Sequence, residues 1–265
     1  MISIAFTLIL VAAGCTTIPT PTSEFLSNTG TLQSTSGLRT KRLTTLPPSP
    51  PIELNAKLTI DAVRYLSQLE ISNNITPTER SLVANALSRS ACKYFSRHFE
   101  IVEASSAPPS GYTLKIGIAR LDPTSKFGAA VGMASDLASP IGGIRPPIGL
   151  GGLTVEFELV GPNRVQAAAM VWSRHADIFT TNSAASRIGD AYRFAAMAPL
   201  EFAKVAAHQD GANSANRAFQ SVSSSKPDEA CDRYGKDAAG LARVAGFLGL
   251  PLPPENVDSG PTTPH

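Results

Sequence analysis

The chain has 265 residues, a net charge of +2, 43% hydrophobic and 6% aromatic residues and three cysteines. So even a charge balance supplies no basic field for nucleic acid, and three widely spaced cysteines make neither a disulfide-dense mini-domain nor a structural zinc site. Ile4–Gly14 is the one continuously apolar run, far short of the roughly 20 residues that a spanning helix needs.

That first run has secretory proportions: a short leader, an apolar stretch from Ile4 to Val11, then Ala12, Ala13 and Gly14 before Cys15. Small side chains fit the narrow subsites of a signal peptidase. A cysteine directly after Ala-Ala-Gly resembles a bacterial lipobox, in which the Cys15 thiol is acylated and becomes the new amino terminus. The alternative is an ordinary apolar first helix. Residues 16–51 follow, dominated by Thr, Ser and Pro, a composition that buries too little apolar surface to offset ordering. Pro47-Pro48 and Pro50-Pro51 favour extended, semi-rigid backbone. The segment therefore reads as a disordered lipid tether, with Phe25, Leu26, Leu32 and Leu38 apolar enough to pin parts of it onto a domain. Arg39, Lys41 and Arg42 are its basic cluster, suited to anionic headgroups or simply to solvent. Thr16, which is not aspartate, favours the outer membrane under the enteric sorting rule.

From Ile52 the pattern becomes that of a folded domain. Leu58, Ile60 and Ala62 alternate with polar residues as a half-buried strand. Thr76-Pro77-Thr78-Glu79 forms a capping box with Pro in the first turn, and apolar residues at helical spacing carry a helix to about His98. Phe99–Val102 reads as a short strand. Better strands follow at Tyr112–Ile118 and Leu153–Leu159. Gly161-Pro162-Asn163 then turns the chain into an antiparallel partner from Val165 to Arg174. A last clear helix runs from about Arg187 to His208, kinked or divided by Pro199. Beyond Gly211, residues 228–249 suit a weak amphipathic helix, and the end of the chain reads as disordered.

These elements predict an α+β fold: a mostly antiparallel sheet of four to five strands with two main helices packed on one face. The implied organisation is a signal peptide at 1–14, a tether at 15–51, one domain at 52–209 and a weakly structured tail at 210–265.

Several stretches also resemble a family of bacterial lipoproteins described as domain of unknown function 3313. They are Ser23–Ser27, Tyr112–Leu121, Gly152–Leu159 and Ile188-Gly189-Asp190-Ala191. The likeness spans roughly residues 23–207. It implies a periplasm-facing lipoprotein with no assigned catalytic residues and no agreed ligand.

Motifs for chemistry are sparse. None of the four histidines sits in a metal-binding pair, and no cofactor motif is present. Ser173, His175 and Asp177 are close in sequence but lack an oxyanion turn. Glu156 and Glu158, two apart on one strand, are either paired carboxylates or a polar outer sheet face. The glycine-rich stretch from Gly128 to Gly152 lacks the Lys-Ser/Thr of a phosphate loop. Trp172 reads as packing.

The expected role is non-enzymatic. The chain would be held to the membrane by its lipid and would contact envelope proteins, with oligomeric state open. Two alternatives are a binding module for a small apolar ligand, its cavity lined by Phe157, Leu159 and Tyr192, and a hydrolase using Ser173 and His175. With Cys15 acylated, Cys92 and Cys231 remain as an even pair in an oxidising compartment. They are either bonded, or a buried small residue and a free thiol. The long apolar segment 127–152 is either a docking loop presenting Ile141, Ile144, Ile148 and Leu150, or a lid completing the core.

Overall fold

A computed structural model describes residues 19–22, 24–35, 37, 39–48, 51–66, 75–106, 110–125, 150–177, 186–207, 229–235, 253–258 and 260. The strands are β1 (Gln33–Ser34), β2 (Thr40–Thr44), β3 (Ala56–Ile60), β4 (Arg64–Tyr65), β5 (Phe99–Ile101), β6 (Tyr112–Asp122), β7 (Gly152–Val160) and β8 (Gln166–His175). The helices are α1 (Pro77–Phe95), α2 (Gly189–Ala206) and α3 (Pro254–Val257), with short 3-10 turns at Ala104–Ser106 and Glu229–Tyr234.

The expected capping box opens α1: Glu79 N donates to Thr76 Oγ1 (3.2 Å), and Thr76 N donates to Glu79 Oε2 (2.7 Å). The helix closes at Phe95, with Ser96 as cap, earlier than the apolar spacing suggests. The chain must turn there to enter β5, and His98 N donates back to Phe95 O. Pro199 lies inside α2, which runs unbroken from Gly189 to Ala206. The buried residues on both sides of the proline hold the helix together across the missing ladder bond.

The fold is α+β, but the sheet is larger and more mixed than the expected four to five antiparallel strands. Among the described residues eight strands run in the order β1-β2-β8-β7-β6-β3-β5, with β4 beside β6. Strand β3 pairs in parallel with both β5 and β6, and β4 pairs in parallel with β6. Helix α1 explains the first pairing: a helical crossover returns the chain to the end where it started, so its flanking strands run the same way. The alternation in β6 fails near Ala119 because a bulge lies between Ile118 and Arg120, after which Leu121 again faces Leu153.

One sheet face carries Leu114, Ile116, Ile118, Phe157 and Trp172 beneath α1 and α2. Phe157 stacks on Phe202 at 5.2 Å, and Trp172 meets Phe194 edge-on at 6.2 Å. Trp172 is thus a packing residue.

The stretch assigned to a tether is part of the fold. Strand β2 adds to β8 over five residues, and Leu26 joins Ala169 and Val171 in a second core, with Phe25, Leu32 and Leu43 packed against it. Phe25, Leu26 and Leu32 pin the segment as their apolarity suggests; Leu38 and Cys15 lie outside the described residues. Arg39 and Arg42 of the basic cluster are engaged with the acids Asp177 and Glu201. They fasten this segment to the domain.

The far end of the chain is also tied down. Cys92 in α1 and Cys231 are joined by a disulfide with their Cα atoms 5.6 Å apart. The side chain of Asp258, just past α3, is fully buried against Arg89. Most of the expected helix at 228–249 lies outside the described residues. Its first part, Glu229–Tyr234, is a 3-10 turn.

Candidate functional site: the loop-bearing end of the sheet

Asp190 organises this end of the molecule. It opens α2 and is only 2% exposed. Its Oδ2 accepts the Thr124 hydroxyl (2.8 Å) and the Gly151 amide (3.1 Å). Thr124 and Gly151 flank the apolar segment between β6 and β7, so one buried carboxylate clamps both stems of that loop to one helix. Thr124 N donates to Arg187 O, and Ala176 N to Gly151 O. A side chain at Gly151 would force its neighbours to shift: a Cβ would lie 2.5 Å from Thr124 Oγ1 and 2.9 Å from Asp190 Cβ. The sequence signal for this clamp was an aspartate opening an otherwise apolar helix, within Ile188-Gly189-Asp190-Ala191.

Beside the clamp, His175 Nε2 meets Asp122 Oδ2 at 2.9 Å, and Arg120 Nε reaches both oxygens of Asp122. Burial works to raise the Asp122 pKa, but the hydrogen bonds from His175 and Arg120 outweigh it and hold the carboxyl below its usual range. The His175 ring lies across Gly152, where a Cβ would sit 2.7 Å from Nε2.

The N-terminal arm lies across the sheet face opposite the helices. Thr22 donates through both its amide (2.7 Å) and its hydroxyl (2.8 Å) to Glu156 Oε1. Ser27 N donates to Glu158 Oε1, and Asn28 N to Gln166 Oε1. The arm therefore climbs along the β7–β8 hairpin toward its turn, and its amino-terminal end faces the Gly152 end. The expectation of a polar outer sheet face at Glu156 and Glu158 is corrected: both are fully buried beneath the arm. Glu158 is neutralised by Lys115 at 2.9 Å. Glu156 Oε2 is buried with no partner among the described residues, and burial pushes this carboxyl up against the opposing pull of the Thr22 hydrogen bonds.

Of the four loop positions singled out from sequence, Ile141, Ile144 and Ile148 lie outside the described residues. Leu150 packs against the main core, so it belongs to the loop's base and not to a free surface. Ser173, His175 and Asp177 are directed to different partners. The Ser173 hydroxyl pairs with Thr154 Oγ1 at 2.9 Å, His175 with Asp122, and Asp177 with Arg39. Among the described residues, Phe157, Leu159 and Tyr192 line no common cavity. Phe157 and Leu159 are fully buried. Tyr192 borders a separate notch of about 90 Å³ between α1 and α2, floored by Ala86, Ser90 and Ala196. Pockets that enclose small molecules usually hold roughly 300–1,000 Å³.

The model of the family described as Protein of unknown function (DUF3313) matches residues 21–198. That is more than half of the chain, and the protein belongs to this family. The matched range takes in the arm and β2 as well as the central sheet. No curated protein matches. Among solved structures, the chain is similar to the PelC dodecamer from Paraburkholderia phytofirmans in space group P6. The identity is 11%, the coverage 63% of this chain and 97% of that one, and the TM-score 0.38. A variant of that dodecamer in space group C2 gives 13% identity, 61% and 96% coverage and a TM-score of 0.34.

Proposed function

We propose that this member of the family is a lipid-anchored protein of the bacterial envelope whose domain works by contact and not by catalysis. In this reading Cys15 carries the lipid, and the loop-bearing end of the sheet faces the membrane, at the periplasmic face of the outer membrane. The observation that carries the reading is the course of the arm. Thr22, Ser27 and Asn28 advance from Glu156 toward Gln166. The described arm therefore has its amino-terminal side toward the Gly152 end of β7, the end at which Asp190 holds Thr124 and Gly151. An acyl group and an apolar segment leaving one end give two membrane signals in register, and stable anchoring generally takes two. Partners in the envelope would then meet the opposite end or the flanks. The non-enzymatic part is supported by the separate partners of Ser173, His175 and Asp177 and by the burial of Glu156 and Glu158.

The test is fatty-acid labelling in cells. Cys15→Ser should abolish labelling and leave unprocessed precursor, and the mature wild-type chain should begin at a modified Cys15. In the anchored protein, Ile144→Asp or Ile148→Asp should leave the melting temperature unchanged and reduce photocrosslinking of the loop to lipid. Equal labelling of wild type and Cys15→Ser would sink the anchor. A melting temperature that falls in both loop variants would make the loop a lid on the core instead.

A further inference from the structure

Beside α2, over β2 and β8, lies a shelf of arginines. Strand β8 presents Arg174 on the helix-covered face, two residues after Trp172 and opposite Thr40 of β2. Its guanidinium stacks on the Phe194 ring at 5.2 Å and reaches Met197 Sδ at 4.0 Å. Arg193 stands one helical turn before Met197, on the same stripe of α2, so it flanks the same spot. Arg39 and Arg42 border the shelf from β2 and the residue before it.

The acids here, Asp177 and Glu201, pair with Arg39 and Arg42. Among the described residues Arg174 makes no ion pair with a carboxylate, and its buried Nε has no acceptor. A buried donor left unmade is costly, and native structures fill such positions. Burial and the neighbouring Arg193 both hold the Arg174 pKa below its ordinary value, with Asp177 opposing them. The segment 178–185, between β8 and α2, contains no acidic residue. A guanidinium that has no carboxylate partner among the described residues, crowded by other guanidinium groups, fits an oxyanion.

We propose that this shelf, centred on Arg174 and flanked by Arg193, binds a phosphate group, carried on an anionic lipid headgroup or free in solution. The site lies on the helix-covered face of the sheet, opposite the arm's seat, and it does not depend on lipidation of Cys15.

Trp172 is the chain's one tryptophan, and it shares Phe194 with Arg174, so its fluorescence reports on the shelf. The full chain is titrated with inorganic phosphate at constant ionic strength set by chloride. A saturable change in Trp172 emission is expected. Arg174→Gln and Arg193→Gln should each weaken it about tenfold or more, the loss of one charge-assisted contact. Lys57→Gln, on β3 away from the shelf, should leave it unchanged. Circular dichroism checks that each variant is folded, and Arg193→Gln carries the test should Arg174→Gln not fold. No saturable response, or equal weakening by Lys57→Gln, overturns the proposal. A second arm places the chain on phosphatidylglycerol or phosphatidylcholine vesicles. A response to phosphatidylglycerol that added phosphate competes away assigns the ligand to a lipid headgroup; a response to inorganic phosphate alone assigns it to the free ion. Because the phosphate arm should read the same in Cys15→Ser, failure of the anchor and failure of the shelf are separable.

Discussion

A single carboxylate, Asp190, decides where the long loop leaves the domain. Its two acceptor contacts close the stems at Thr124 and Gly151, and the missing side chain at Gly151 lets the strand come that close. Gly151→Ala should cost about 1–3 kcal/mol, the usual range for overpacking a well-filled site. The neighbours are a buried hydroxyl and a buried aspartate, neither the far end of a flexible chain. Gly161→Ala is the control, since a Cβ there meets nothing nearer than Val165 O at 3.5 Å. Denaturant unfolding of the two variants measures the difference, and equal midpoints would refute the clamp's tightness. A comparable fixture holds the other end of the chain. Arg89 Nη2 donates to Asp258 Oδ2 (2.7 Å) and to the Tyr192 hydroxyl (2.8 Å). Burial would raise the Asp258 pKa, but these partners win and hold it below the usual carboxylate range.

At the scale of elements, the arm is the piece whose docking should respond to pH. Its amide and hydroxyl at Thr22 both converge on one oxygen of Glu156, while the other oxygen has no partner among the described residues. Burial raises the docked pKa above the value of a free glutamate. The docked arm is therefore favoured by proton uptake. Glu156's contribution to docking is complete below the ordinary glutamate pKa and is lost as pH rises through the raised one. Amide exchange at Thr22 and Ser27, corrected for its intrinsic rate, should be better protected near about pH 5 than near about pH 8. Glu156→Gln keeps an oxygen for Thr22 and cannot ionise, so it should flatten this dependence. Protection that grows with pH would reverse the sign and defeat the argument.

The whole molecule is closed from both ends of its chain. The arm and β2 extend the sheet on one side, while the Cys92–Cys231 disulfide and the Arg89–Asp258 pair draw C-terminal residues onto α1. The bond spans 139 residues of sequence, and restraining so long a loop in the unfolded chain is worth about 2–4 kcal/mol. Reduction should lower the melting temperature and expose residues around Tyr234 to proteolysis before the central sheet opens. Cys92→Ser should reproduce the loss without reductant. An unchanged melting temperature on complete reduction would mean that the ion pair alone secures the tail.

What the sequence determined by itself is the set of elements that carry their own local signal. Helix α1 has its capping box, the β7–β8 hairpin has its turn and alternation, and α2 has an apolar stripe strong enough to run through Pro199. Those signals are short-range hydrogen bonding and periodic burial, and both are written in neighbouring residues. The α+β class followed from them, as did the packing role of Trp172. Only the tertiary structure decided the rest. Strand β2, Thr-Lys-Arg-Leu-Thr, has a single apolar residue and is a strand because β8 offers it a free backbone edge. Glu156 and Glu158 look like a solvated face until a segment more than 120 residues away covers them. Arg174, Asp190 and Asp258 are polar residues whose roles come from partners distant in sequence. No local pattern encodes a contact whose other half lies tens of residues away, so the arm, the clamp and the arginine shelf became visible only when the chain was folded.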